Sequence, residues 1–345
     1  MKHTTIGLDI AKRVFQVHSV NQQTGEVVRR QLKRAEMLEY FTQLPVALVV
    51  MESWGTAQWW ARELKKLGHE VKLIAPQFVR PFVKTNKNDA ADAQAIWTAA
   101  QQPEMRFVAV KTPEQQAVLA LHSIRQRLMK NRTAYVNQLH GLMAEFGVCL
   151  PRGWRGMLPK AVAALAEGSS PIPGVLRAEL QRQIERIKVL SAEMANVERQ
   201  IASWKRQEVE CERIAAIPGV GLLTATAAVA TIGDARTFKS GRQFAAYLGL
   251  VPRQSGTGGR VQLLGISKRG DVYLRTLLIH GARGVLSRMR PEAKDTWLGK
   301  LARRRPNNVA IVALANKMAR QIWALMAHQR IYQPNYAVAA TATVA

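Results

Sequence analysis

The chain has 345 residues, 48% of them hydrophobic and 21% charged, which predicts two or three domains with real cores and excludes an extended disordered protein. No run approaches the ~20 apolar residues of a membrane span, and Asp9, Lys12 and Arg13 interrupt any apolar leader core in MKHTTIGLDIAKRVF. Fifty Lys and Arg against 24 Asp and Glu leave a net charge of +26, a self-repulsion that a polyanion relieves, so nucleic acid is the expected partner over a basic surface without function.

The first hundred residues alternate strand and helix patterns. HTTIGLDIA reads as a strand, and VFQVHSV and GEVVRRQLK as a hairpin across a Gln-Thr-Gly turn. AEMLEYFTQL reads as a helix. PVALVVMES is a continuous apolar run ending at Glu52, the pattern of a strand covered on both faces. TAQWWARELKKLG is an amphipathic helix closed by Gly68, and HEVKLIAP another strand. From Pro113 to Phe146 one long helix is predicted, with Leu121, Ile124, Leu128, Tyr135, Leu139 and Leu142 at helical spacing. Breaks at CLPRGW and GSSPIPG enclose a short helical piece. Leu180, Ile184, Ile187, Leu190, Met194, Val197, Ile201 and Trp204 then recur at steps of three and four, a stripe suited to a coiled-coil arm that dimerises or to a helix packed on its own domain. A second globular unit begins near Glu210, and residues 231–345 carry 19 Lys and Arg against four acids. The expected divisions are 1–112, 113–209, 210–332 and a disordered tail over 333–345: an α/β unit, a helical arm and a mostly helical unit. Cys149 and Cys211 are too few for a disulfide framework or a four-thiolate zinc site, and a cytosolic setting follows.

Against this basic background four acids stand out. Asp9 and Glu52 end predicted strands, and Asp89 and Asp92, in NKNDAADAQAI, share one face of a helix start. Such oxygens suit hard divalent cations, and four of them can hold two metals about 4 Å apart for phosphodiester chemistry. Taken singly, each has a plainer explanation: aspartate is common at strand ends, and the helix dipole favours acids in a first turn.

GLDIAK, MESWG and NKNDAADA, in that order, resemble the N-terminal signature of the DEDD insertion-sequence transposases, the insertion-sequence one-hundred-and-ten family, whose relatives include the Piv DNA invertases. The resemblance continues through RQRLMKNRTAYVNQLHGLM, IPGVGLLTA, RQFAAYLGLVPRQSG and GISKRGDVYLRTLL, and so covers most of the chain. It implies a RuvC-like, ribonuclease-H-type first domain whose tetrad is Asp9, Glu52, Asp89 and Asp92, holding two Mg2+ or Mn2+. It also implies a second catalytic element, Pro252-Arg253-Gln254-Ser255-Gly256, in which Ser255 joins covalently to a DNA phosphate. Further implications are a non-coding guide RNA pairing with target and donor double-stranded DNA, a homo-oligomer from dimer to tetramer in the synapse, and a place on the bacterial nucleoid. On local pattern alone Ser255 reads as a loop serine in a glycine-rich turn.

Arg253 and Arg260 are candidates to offset charge on the phosphorane transition state. Arg125, Lys130, Arg132 and Asn137 on the long helix, and Lys268, Arg269 and Arg275 after it, are candidates to follow a nucleic-acid backbone, with a solvated basic face as the plainer alternative. IPGVG resembles a helix-hairpin-helix turn, able to grip a phosphate through its amides, and reads equally as a buried turn. His122, His140 and His280 have no metal-ligand spacing. No glycine-rich Lys-Ser/Thr phosphate loop occurs, so no nucleotide is expected to drive the chemistry. The competing readings are a Holliday-junction resolvase using metal-activated water, which needs the acids but not Ser255, and a non-catalytic nucleic-acid-binding protein.

Overall fold

The computed structural model describes residues 4–21, 23–83, 89–166, 171–258, 260–290 and 295–334. The tail expected to be disordered lies outside the described residues from 335 onward. The chain packs as two units, one of residues 1–112 with 232–237, the other of 113–231 with 238–345.

The first unit contains β1 (Thr5–Ile10), β2 (Val14–Val20), β3 (Val27–Lys33), α1 (Met37–Thr42), β4 (Leu48–Glu52), α2 (Ala57–Lys66), β5 (Glu70–Ile74), α3 (Pro76–Val79), α4 (Asp89–Ala100) and β6 (Phe107–Val108). The strands form one sheet in the order β3-β2-β1-β4-β5-β6. The first three run as an antiparallel meander, β1, β4 and β5 are mutually parallel, and β6 returns antiparallel to β5. Side chains alternate between faces along a strand. Ile6, Leu8, Val49, Met51, Val71 and Leu73 take one face and pack on α1 and α2 through Met37, Phe41, Trp60 and Leu64. Val50 and Ile74 take the other, against Ala95, Ile96 and Ala99 of α4 and Val79 of α3. This double cover is why β4 reads as an unbroken apolar run. Each such side chain contributes roughly 1.5–3 kcal/mol by leaving water. At the open edge, β3 exposes every residue but Leu32, and Arg29, Arg30 and Lys33 discourage another strand from adding there.

The second unit begins with α5 (Pro113–Glu145), α6 (Trp154–Ala166) and α7 (Gly174–Gln207). Tyr135 meets Arg186, Arg132 meets Ser191, and Arg125 meets Glu198, so α5 and α7 run antiparallel. Leu180, Ile184, Ile187 and Ile201 are fully buried, the first three in a cluster with Leu139, Met143 and Met157. The stripe expected to serve dimerisation is therefore closed over within the chain, because α5 supplies an apolar face of matching length. The remaining elements are α8 (Val209–Ala215), α9 (Leu222–Ile232), α10 (Gly241–Tyr247), β7 (Pro252–Thr257), β8 (Arg260–Ile266), α11 (Val272–Ser287), α12 (Trp297–Arg304) and α13 (Asn307–Ala327). Between α8 and α9, Ile217 and Val220 of the IPGVG turn are buried, and Gly219 lies so close to Gly281 of α11 that a β-carbon on Gly281 would overlap the Gly219 carbonyl. The turn is thus a packing element on α11 along this side, with Gly221 exposed on the other.

Candidate active site

The β1–β4 pairing sets the acids side by side. Leu8 stands opposite Met51 in a parallel register, so the next pair along is Asp9 and Glu52. Strands in a sheet lie roughly 5 Å apart. Residues two apart share a face, so Asp9 follows Gly7 and Glu52 follows Val50 onto the face that α4 covers. Both acids are half-buried, at the carboxyl ends of adjacent parallel strands, where open α/β sheets bind ligands.

The direction of α4 places its first turn over them. The Trp97 indole donates to the Thr5 carbonyl at 3.2 Å, and Gly7 abuts Ala93 and Trp97. Two strand residues advance about 6.6 Å and four helix residues about 6 Å. Passing from Gly7 to Asp9 therefore moves the contact back one helical turn, from Ala93 to the turn that holds Asp89 and Asp92. Gly7 makes this approach possible: a β-carbon there would overlap the Ala93 carbonyl and lie 2.7 Å from the Trp97 nitrogen. Asp92 is half-buried, and the side chain of Asp89 lies outside the described residues. Among the described residues no three His, Cys, Asp or Glu form a metal-holding group. The donor set, carboxylate oxygens at the ends of adjacent strands, nevertheless suits a hard cation.

Ser255 is not in a turn. It sits within β7, opposite Gln262 of β8, and is exposed together with every other residue of that strand. Among the described residues its hydroxyl makes no hydrogen bond. Arg253 and Thr257 share its strand face by alternation, and Arg260 pairs with Thr257, so both candidate arginines flank the serine. The ladder is irregular between Pro252 and Gln254, where Leu264 and Gly265 stand opposite Arg253 alone. The other face shows Val261 and Leu263, both more than 60% exposed.

A two-stranded ribbon is marginal by itself, and its roots are pinned. Ser267 N donates to the Val251 carbonyl at 2.8 Å, and Lys268 N to that of Gly249 at 3.1 Å. Below them the Arg275 guanidinium donates to the carbonyls of Leu248 and Arg269, at 2.9 and 3.0 Å. Arg275 is 7% exposed, which corrects its expected role: it fastens both ends of the ribbon and does not face a phosphate. Arg125 is also corrected. Its side chain is largely buried and paired with Glu198 at 2.6 Å, close enough to Tyr273 to act on its pKa. Arg132 lies half-buried over the Trp154 ring and against Ser191, its pKa drawn down by burial and by Arg125. Lys130, Asn137, Arg253, Arg260, Lys268 and Arg269 remain exposed.

The Arg125 chain leads to a residue for which sequence spacing suggested no role. Tyr273 OH lies 2.9 Å from His122 Nδ1, and His122 Nε2 lies 3.0 Å from Thr226 Oγ1. Thr226 donates its own proton to the Leu222 carbonyl, so Nε2 carries the ring hydrogen and Nδ1 accepts from the tyrosine. Burial, aided by Arg125, pushes the His122 pKa down to about 4, and burial raises that of Tyr273. A neutral relay thus joins α5, α9 and α11, with Glu198 of α7 at its outer end. Nothing local in the sequence announces it, since His122 and Tyr273 are 151 positions apart.

No helix among the described residues is long and apolar enough to cross a membrane. Residues 6–147 match a transposase family of the DEDD, IS110 type, and residues 211–298 match the family described as transposase IS116/IS110/IS902. The chain is 49% identical over 337 residues to a probable family 20 transposase of Pseudomonas aeruginosa, an alignment covering 97% of this chain and 100% of that one. It is 43% identical over 337 residues to the transposase of insertion sequence element IS1111A from Coxiella burnetii, covering 95% and 91%. To the transposase of IS1328 from Yersinia enterocolitica it is 38% identical over 331 residues, covering 95% and 98%.

Proposed function

We propose that this chain, which belongs to the IS110 family of insertion-sequence transposases, is an RNA-guided DNA recombinase that cuts and rejoins strands through a covalent phosphoserine at Ser255. The observation that supports the reading is the parallel β1–β4 register, whose last pair, Leu8 and Met51, is followed by Asp9 and Glu52 on the sheet face that α4 covers. The sheet order supports taking the first unit as RuvC-like, of the ribonuclease-H type. Asp9, Glu52, Asp89 and Asp92 would hold Mg2+ or Mn2+, which when bound braces phosphoryl oxygens and lowers the pKa of an attacking hydroxyl.

The chain's own residues account for the rest. Ser255 Oγ, exposed on β7, forms a bond to phosphorus as the bond to a deoxyribose oxygen breaks. The serine proton is lost to water and the departing oxygen gains one. Arg253 and Arg260, on the same face, offset charge on the five-coordinate phosphorus. The phosphoserine ester keeps the energy of the broken linkage, and attack by a deoxyribose hydroxyl reverses the step, so no nucleotide is consumed. The net charge of +26 supports a chain that carries a guide RNA while it engages target and donor DNA, and joining two duplexes requires a synapse of two to four copies. Exposed Lys130, Asn137, Lys268 and Arg269 are suited to phosphate contacts.

Replacing Ser255 with alanine tests the chemistry. The expected result is loss of the covalent protein–DNA adduct and of strand exchange, with DNA binding retained. A variant that keeps cutting at the wild-type rate would establish metal-activated water as the nucleophile, the resolvase mechanism. Sequencing the RNA that co-purifies from the native element tests guidance, and absence of a discrete enriched species overturns it.

A further inference from the structure

One face of α13 forms the floor of an open trough of about 1680 Å³ in the second unit. Leu250, Val312 and Ala313 make the floor apolar, while Leu264, Gly265 and Ile266 of β8 form a wall. Three aromatic residues line it: Trp297, 46% exposed, Tyr332 beyond α13, and Trp323, whose indole N–H is held by the Phe238 carbonyl. Arg242, Lys317, Arg320 and Arg330 are the charged residues of the lining, and no carboxylate is among them. Among the described residues Arg242, Lys317 and Arg320 make no ion pair, and the Lys317 ammonium sits 4.9 Å from the centre of the Trp297 ring. Unneutralised cations around flat aromatic faces suit a polyanion that also offers flat rings, the composition of nucleic-acid grooves that bind unpaired bases.

Shape and lining together select among nucleic acids. The floor from Val309 to Ala324 runs roughly 22 Å, so the mean cross-section is about 75 Å², close to that of one α-helix. A single strand can lay unpaired bases on the rings of such a trough, whereas a duplex keeps its bases paired and stacked away from them. The trough is also continuous with the ribbon that bears Ser255. Leu264 lines it, on the serine's strand face and two residues from Gln262, the partner of Ser255. We infer that this trough binds single-stranded DNA: the unpaired stretch of the strand that Ser255 attacks, with phosphates on Arg242, Lys317 and Arg320 and bases against Trp297 and Tyr332. The identity of the bound strand rests on the Ser255 reading above.

The test uses the full-length protein and a fluorescein-labelled 12-nucleotide DNA, read by anisotropy beside a duplex and an RNA of the same sequence. The double variant Lys317→Glu, Arg320→Glu is expected to lower single-strand DNA affinity at least tenfold and duplex affinity less than threefold. An equal loss for duplex, no loss for single-stranded DNA, or a loss confined to RNA would overturn the proposal. Irradiating wild-type protein with 5-iododeoxyuridine DNA removes dependence on variant folding: crosslinks at Trp297 or Tyr332 support the trough, and crosslinks confined to other regions refute it. If the double variant loses single-strand binding while Ser255→Ala still forms the adduct, the trough stands and the serine assignment falls.

Discussion

The acid face of the sheet and the serine ribbon are built on opposite plans. Asp9 and Glu52 end strands with both faces covered, and Gly7 lets α4 press down on the sheet through Ala93 and Trp97. Their geometry is an outcome of core packing, and a dense core holds it. Ser255 instead stands on an exposed strand of a ribbon whose roots are fastened by Arg275, by Asn316 and by two main-chain bonds. The first plan gives precision. The second gives reach, with order supplied from below by one buried side chain.

The largest expected effect breaks the first plan without touching an acid. Gly7→Val forces α4 off the sheet, and strand cleavage should fall more than a hundredfold, with a stability loss of about 2–3 kcal/mol from overpacking. Cleavage rate and urea unfolding measure the two. If activity survives while stability falls, the position of the α4 first turn does not matter to the chemistry. The relay beneath the ribbon offers a pH test. Burial holds the folded pKa of His122 at about 4 against the ordinary 6.5 of histidine, so the unfolded chain binds the extra proton first. The stabilisation is present above pH 6.5 and is lost as pH falls from 6.5 to 4, by about 3 kcal/mol in all. His122→Gln should flatten that part of the profile, and urea midpoints at pH 7 and 4.5 would read it. The smallest effect sharpens the second plan. Arg275→Lys keeps the charge but moves the donor off the position from which one guanidinium nitrogen reaches both carbonyls, at a cost of about 1–2 kcal/mol. Amide exchange should rise in β7 and β8 and stay unchanged in β1 and β4.

The two plans also differ in how plainly the sequence announces them. The strands of the sheet were legible because their apolar alternation is a direct record of which faces are covered, and Asp9 and Glu52 stood out as charges at the ends of such runs. The register that pairs them was not, since it depends on main-chain bonding between segments 43 residues apart. The ribbon was hidden for the reverse reason. PRQSGT is exposed throughout, so no buried face imprints a pattern on it, and its glycines suggested a turn. Arg275 and Arg125 looked like surface cations because composition records charge and not burial. The Leu180–Trp204 stripe reads as a seam, but a seam does not name its partner, and the structure supplies α5 where a second copy is the alternative.

That pairing has a mechanical consequence. Helices of 33 and 34 residues extend about 50 Å. The Tyr135–Arg186, Arg132–Ser191 and Arg125–Glu198 contacts fall at successive levels along them and fix one sliding position. Slipping by a single turn, about 5.4 Å, would break all three at once and move every seam residue off its counterpart. The pair therefore behaves as a stiff strut: a push applied at the end near Glu145 and Gly174 is carried along its length and is not absorbed by bending.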